Sequence, residues 1–133
     1  MENEAQRPRI LIAEDNAINQ VLITRMLTHC GYLFDLVVNG AQVVEAYDKS
    51  KPDLILMDVQ MPVMDGLQAT IEIRKREELN GTHTPIIAVT ARALSGDEEK
   101  CLEAGMDDYL SKPLRFQILA DKLALWINKD QAA

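Results

Sequence analysis

Asp53-Leu54-Ile55-Leu56-Met57-Asp58 is a short apolar run closed by an acid at each end and entered from Pro52. Apolar residues without polar alternation predict a strand buried on both faces, as in the interior of a parallel sheet. Arg9-Ile10-Leu11-Ile12-Ala13 upstream and Pro85-Ile86-Ile87-Ala88-Val89-Thr90 downstream repeat the pattern. Leu33–Val38, closed by Asn39-Gly40, is a further strand, and Asp108–Ser111 a short last one. Helical stretches lie between them. Asn16 is placed to cap the first, where Ile18, Val21, Leu22 and Met26 recur at helical spacing and Gly31 follows the end. Ala41–Lys49 is the second, with Val43, Val44 and Tyr47 inward. Val59–Gly66 is a loop holding Pro62 and Gly66, and Leu67–Glu78 is a third helix stopped by Asn80-Gly81. Ser95–Glu103 is a fourth, Ser-capped and acidic in its first turn, ended by Gly105. In the last helix Phe116, Leu119, Ala120, Leu123, Ala124 and Ile127 make one stripe. Phe34 and Phe116 read as core.

Strands alternating with helices predict an α/β domain, an open doubly wound sheet, mostly parallel, with right-handed crossovers. The chain has 133 residues, which suits one domain over 1–133 with its ordered core at about 8–128. Apolar residues are 47% and charged residues 26%, which excludes a disordered chain. The net charge of −7 argues against direct nucleic-acid binding. No apolar run reaches the ~18 residues of a membrane span, and the acidic start M-E-N-E is no signal peptide. Cys30 and Cys101, far apart, read as reduced thiols of a cytoplasmic protein rather than a disulfide framework. Asn80-Gly81-Thr82 matches a glycosylation acceptor by chance.

In a doubly wound sheet, ligands sit beyond the carboxyl ends of the strands. The first strand ends in Glu14-Asp15, the third in Asp58, the fourth in Thr90, and Lys112 follows the fifth. The topology brings these residues to one edge. Carboxylates packed together repel unless a cation intervenes. Magnesium fits, since it takes oxygen ligands from one or two carboxylates, water and phosphate. Lys112 adds a point charge for a phosphate and Thr90 a hydroxyl donor. A carboxylate nucleophile beside metal, lysine and hydroxyl is the requirement for phosphoryl transfer to an aspartate. Singly, each of these residues is ordinary at a loop or strand end; the joint placement carries the reading.

The stretches L-I-A-E-D-N, M-D-V-Q-M-P-V-M-D-G, V-T-A-R-A and Y-L-S-K-P, in this order, resemble the receiver domain of two-component response regulators, over about residues 8 to 128. Glu14 to Asn19 and the stretch from Met57 to Thr70 look most like receivers attached to hybrid sensor histidine kinases. The resemblance implies a flavodoxin-like (βα)5 fold with strand order 2-1-3-4-5 and helices on both faces. It implies Asp58 as phosphoacceptor, with Asp15 and Asp58 contacting Mg2+ directly, Glu14 through water, and the backbone carbonyl of Gln60 as a further ligand. Thr90 and Lys112 would hold phosphoryl oxygens. Ala91 would leave the site open to a donor, and Gln60 and Arg92 stand where the family varies. Thr90 and Tyr109 would form the switch, and the Lys112-Pro113 bond would be cis. The expected partners are a sensor histidine kinase or a histidine phosphotransfer protein, with no direct membrane contact and homodimerisation left open. Leu94, Ile118, Leu125 and Trp126 are candidates for the output face. The domain would turn over no separate substrate.

Other classes fit less well. HAD-type phosphotransferases need a second Asp two residues after the nucleophile, where this chain has Gln60. No G-x-x-x-x-G-K-[ST] or G-x-G-x-x-G loop is present. A flavin-binding module needs a phosphate loop after the first strand, where Glu14-Asp15-Asn16 would repel phosphate. A docking-only receiver would not need the intact acid set. His29 and His83 lack zinc-enzyme spacing, and Met57, Met61 and Met64 read as core and loop filler. With no output domain after the fifth helix, the chain reads as a stand-alone receiver or a segment of a longer protein, including a membrane-anchored hybrid kinase.

Overall fold

In a computed structural model of the chain, which describes residues 7–59, 61, 64–91 and 97–132, strands and helices alternate throughout. The strands are β1 (Arg9–Ala13), β2 (Leu33–Val37), β3 (Leu54–Asp58), β4 (Ile86–Thr90) and β5 (Asp108–Ser111). The helices are α1 (Ala17–Cys30), α2 (Gly40–Ser50), α3 (Gly66–Asn80), α4 (Asp97–Ala104) and α5 (Phe116–Ala132). All strand pairs are parallel, in the order β2-β1-β3-β4-β5. The chain winds outward from β1 to β2, then reverses to β3, β4 and β5. That reversal opens a crevice between the carboxyl ends of β1 and β3.

Period-two alternation divides the sheet residues between two apolar layers. Leu11, Ile55, Met57 and Ile86 pack with Val43 and Tyr47 of α2 and Ala69 and Ile73 of α3. Ile10, Leu54, Leu56 and Ile87 pack with Ile23 and Leu27 of α1 and Leu119, Leu123 and Ile127 of α5. The interior strands β3 and β4 are buried at every residue, which is why their sequences are unbroken apolar runs.

Some boundaries move by a residue or two. Asp53 precedes β3, where its carboxylate accepts the Arg9 N–H at 2.8 Å. Val38 leaves the β2 ladder because its N–H donates to the Gln42 side chain. Pro85 has no N–H for the ladder and precedes β4. Ser95 lies outside the described residues.

The sequence reading of α1 needs correction. Ile18 is 79% exposed and Val21 51%, and Leu22 is also exposed. Ile23, Met26 and Leu27 meet the sheet instead, so Met26 alone of the four spaced residues is in the core. The exposed set lies about 140° round the helix from the packed one. Phe116 is likewise not core. It opens α5, one turn before Leu119 reaches the sheet, and its ring stands edge-on to His29 at 5.2 Å. The α5 stripe narrows to Leu119, Leu123 and Ile127, with Ala124 exposed. Phe34 and Val44 are half-buried at the margins of the core. Neither Cys30 nor Cys101 is in a disulfide.

Two glycines fix the loop beside the crevice. A Cβ on Gly66 would lie 2.4 Å from the Asp58 carbonyl oxygen, and one on Gly40 2.3 Å from that of Met64. Such approaches admit only glycine. The Gly40 N–H donates to that Met64 oxygen at 2.8 Å, and the Gly66 N–H to the Val59 carbonyl at 3.0 Å. Met64 is thereby pinned against the start of α2, and Gly66 against the end of β3.

Candidate functional site

The crevice is lined by residues at and just past the strand ends. Glu14 comes directly after β1 and is 1% exposed. Its carboxylate is held by the local chain. The Asn16 N–H donates to Oε2 at 3.1 Å, while the Gln20 side-chain amide donates to the Glu14 carbonyl at 2.8 Å. Asn16 also caps α1, accepting from the N–H groups of Ile18 and Asn19. The α1 N-terminus therefore begins at the acid pair. Asp15 is exposed at the mouth. Asp58 ends β3 and is 5% exposed.

Oxygens of Glu14, Asp15 and Asp58 all lie within 4.8 Å of one another. Lys112, just past β5, reaches in from the opposite side. Its ammonium donates to Asp58 Oδ2 at 3.2 Å and stands 3.2 Å from Glu14 Oε1. The second contact is ionic rather than directed, because no hydrogen bond among the described residues ends on Glu14 Oε1. Burial pushes the Lys112 ammonium down, but the charges of Asp58 and Glu14 outweigh it and hold its pKa above the ordinary lysine value. Lys112 is therefore a cation at neutral pH. One cation against three carboxylates leaves net negative charge in a partly buried cleft, with Glu14 Oε1 served by that ionic contact and by no directed hydrogen bond among the described residues. A hard divalent cation offsets that charge.

Thr90 ends β4 one residue beyond Val89, the pairing partner of Asp58, and is 3% exposed. Its carbonyl accepts the Lys112 N–H at 2.8 Å, which ties the lysine's backbone to β4. Tyr109 is half-buried in β5, and Ala91 is exposed beside Thr90. The Lys112-Pro113 peptide bond is cis. The structure thus brings Glu14, Asp15, Asp58 and Lys112 into contact and sets Thr90 on the adjoining strand. Gln60, Arg92 and Leu94 lie outside the described residues. Gln20 was not legible as a supporting residue. Its signal is position: it stands one turn after the Asn16 cap, where a long amide can reach back to the strand end.

The comparisons agree with this geometry. The response regulator receiver domain model matches residues 10–124. Hybrid signal transduction histidine kinase I of Dictyostelium discoideum is 45% identical over 126 residues, covering 91% of this chain and 7% of that protein. The chain thus spans a small part of such relatives. The receiver domain of sensor histidine kinase PA1611 from Pseudomonas aeruginosa PAO1, solved with a magnesium ion in its active-site cleft, is 48% identical with a TM-score of 0.85, covering 92% of this chain and 98% of that one. The receiver domain of Ssk1 from Saccharomyces cerevisiae, in co-crystals with the histidine phosphotransfer protein Ypd1, gives 34% identity and a TM-score of 0.84, with 90% and 88% covered. The parallel sheet, the acid cleft at its carboxyl edge and the match across nearly the whole sequence place the chain in the response regulator receiver domain family.

Proposed function

We propose that the chain is a phosphoryl-accepting switch in which Asp58 takes a phosphoryl group from a phosphohistidine. The observation that carries this is the cleft itself, three carboxylates within 4.8 Å with the Lys112 ammonium 3.2 Å from Asp58. Glu14, Asp15 and Asp58 would hold Mg2+, with the Gln60 carbonyl as a further ligand. When bound, the metal supplies positive charge to phosphoryl oxygens and screens the carboxylates from one another.

An Asp58 carboxylate oxygen attacks phosphorus in line. The O–P bond forms as the P–N bond to the donor imidazole breaks, and the imidazole leaves with the electron pair and takes up a proton. Lys112 pairs with one oxygen of the group in transfer, and the Thr90 hydroxyl donates to another. No separate substrate is turned over. Thr90 then moves toward the phosphoryl group, Tyr109 fills the space, and the face made by α4, β5 and α5 shifts between two states. The setting is the cytoplasm, free or within a hybrid kinase; no described helix is long and apolar enough to cross a membrane.

Acetyl phosphate with magnesium, followed by borohydride reduction and peptide mass analysis, tests this reading. Reduction of the acyl phosphate is expected to leave homoserine at position 58, and chelator is expected to prevent it. Uptake at another residue, or no uptake together with no magnesium binding, would sink the proposal.

The exposed α1 face has a place in the same reaction. Ile18, Val21 and Leu22 begin two residues after Asn16, beside the cleft. A macromolecular donor must cover the cleft mouth to bring its imidazole to Asp58, so a histidine phosphotransfer protein is the occupant that fits. Ile18→Glu, at a position with no packing role, is expected to slow transfer from a phosphorylated histidine phosphotransfer protein by about tenfold while acetyl phosphate labelling is unchanged. Equal losses with both donors would contradict this docking.

A further inference from the structure

Asp108 opens β5 and faces α5. Its carboxylate accepts from Lys122 Nζ at 2.7 Å and Trp126 Nε1 at 2.9 Å, both on α5, and from the Tyr109 N–H at 2.8 Å. The Lys122 ammonium also stands 5.6 Å from the centroid of the Tyr109 ring, over its face. One cation thus contacts both the ring of Tyr109 and the carboxylate that fixes its backbone. Burial pushes the Asp108 carboxyl up, but the bonds from Lys122, Trp126 and the Tyr109 N–H outweigh it and hold its pKa below the usual range. The Asp108 carboxylate is therefore charged at neutral pH. Lys122 belongs to α5 and not to the carboxylate cluster, so the chemistry at Asp58 gives no reason for this arrangement.

We propose that Lys122 is a positioning residue that latches the Tyr109 ring against α5 and so sets the ratio of resting to activated molecules. This rests on the proposed function, in which phosphorylation draws Tyr109 toward the space that Thr90 leaves. Asp108 and Trp126 hold the latch in place: the carboxylate anchors the ammonium, and the indole N–H orients the carboxylate. A cation over a partly exposed aromatic face shifts a two-state ratio about two- to fivefold. The apparent affinity for a phosphoryl mimic equals its intrinsic affinity scaled by the activated fraction. Weakening the latch therefore tightens apparent binding when the resting state dominates.

Fluoroberyllate, an acyl-phosphate mimic, is titrated with magnesium present, and its occupancy is read from the bound 19F resonance. Lys122→Met is expected to lower the half-saturating fluoroberyllate concentration about threefold. Lys122→Arg, which keeps the charge and the stacking geometry, is expected to match the unsubstituted protein. In a Tyr109→Leu background the Lys122→Met shift is expected to vanish. A purely structural lysine would lower the melting temperature of Lys122→Met without moving the midpoint, and that result overturns the latch. A shift that persists without the Tyr109 ring overturns it as well. Failure of the unsubstituted protein to take up fluoroberyllate would instead overturn the proposed function, and the latch with it.

Discussion

Asp58→Asn is expected to abolish phosphoryl uptake from acetyl phosphate and yet to raise the melting temperature of the metal-free protein. Most substitutions at a 5% exposed position cost stability. This one keeps the shape of the side chain and removes one of three crowded negative charges. Lys112 keeps Glu14 as a partner, 3.2 Å away. Loss of the Asp58–Lys112 pair works against the gain, so the net rise is small, on the order of 1 kcal/mol or a few degrees. Magnesium is expected to stabilise the unsubstituted protein more than the variant, because ligand binding to the folded state alone adds stability. Intact-mass analysis after acetyl phosphate treatment checks the first part, and melting curves with chelator and with magnesium check the second. A variant that melts well below the unsubstituted protein in chelator would show that charge crowding does not govern the empty cleft.

The second large effect lies at the other end of the sheet. Arg74 of α3 is 16% exposed at its side chain and serves several elements at once. Nε donates to the Gly105 carbonyl at 2.9 Å, Nη1 to Glu77 and the Thr84 carbonyl, and Nη2 to Asp107 at 2.8 Å. Glu77, 4% exposed, also accepts from the Tyr47 hydroxyl and the Thr84 N–H. Asp107 accepts the Ile86 N–H and contacts His83. Arg74→Leu leaves two largely buried carboxylates without their shared cation. The expected loss is about 3–5 kcal/mol, read as a lower urea midpoint. Arg74→Lys is expected to recover little, since a single ammonium cannot reach acceptors spread around a planar fork. A loss under 1 kcal/mol for Arg74→Leu would mean that water replaces the cation.

These two regions show what the sequence makes legible. Glu14 and Asp15 after β1, Asp58 at the end of β3, Thr90 and Lys112 fall together on the sequence alone, because a doubly wound sheet sends strand ends to one edge. Interior strands announce themselves as unbroken apolar runs because both their faces are covered. The Arg74 network has no such signal. Its members stand at 47, 74, 77, 84, 105 and 107, at no common spacing, and meet only once α2, α3 and the α4–β5 turn have packed. The α1 face departs from its sequence pattern for a related reason. Helical spacing at Ile18, Val21 and Leu22 marks an apolar face but not what covers it, and here the sheet takes the adjacent face. Lys122 and Trp126 were hidden in the same way, since nothing local links them to Asp108.

The strand order carries one more consequence. β3, with Asp58, has a neighbour on each side, whereas β5, with Tyr109, pairs with β4 alone among the described strands. The group that must stay still is clamped from both flanks. The group proposed to move hangs from a single ladder at the rim, where a shift tears no seam between interior strands. The fold thus separates anvil from hinge by strand position alone, and the signal can travel outward while the centre of the sheet keeps its register.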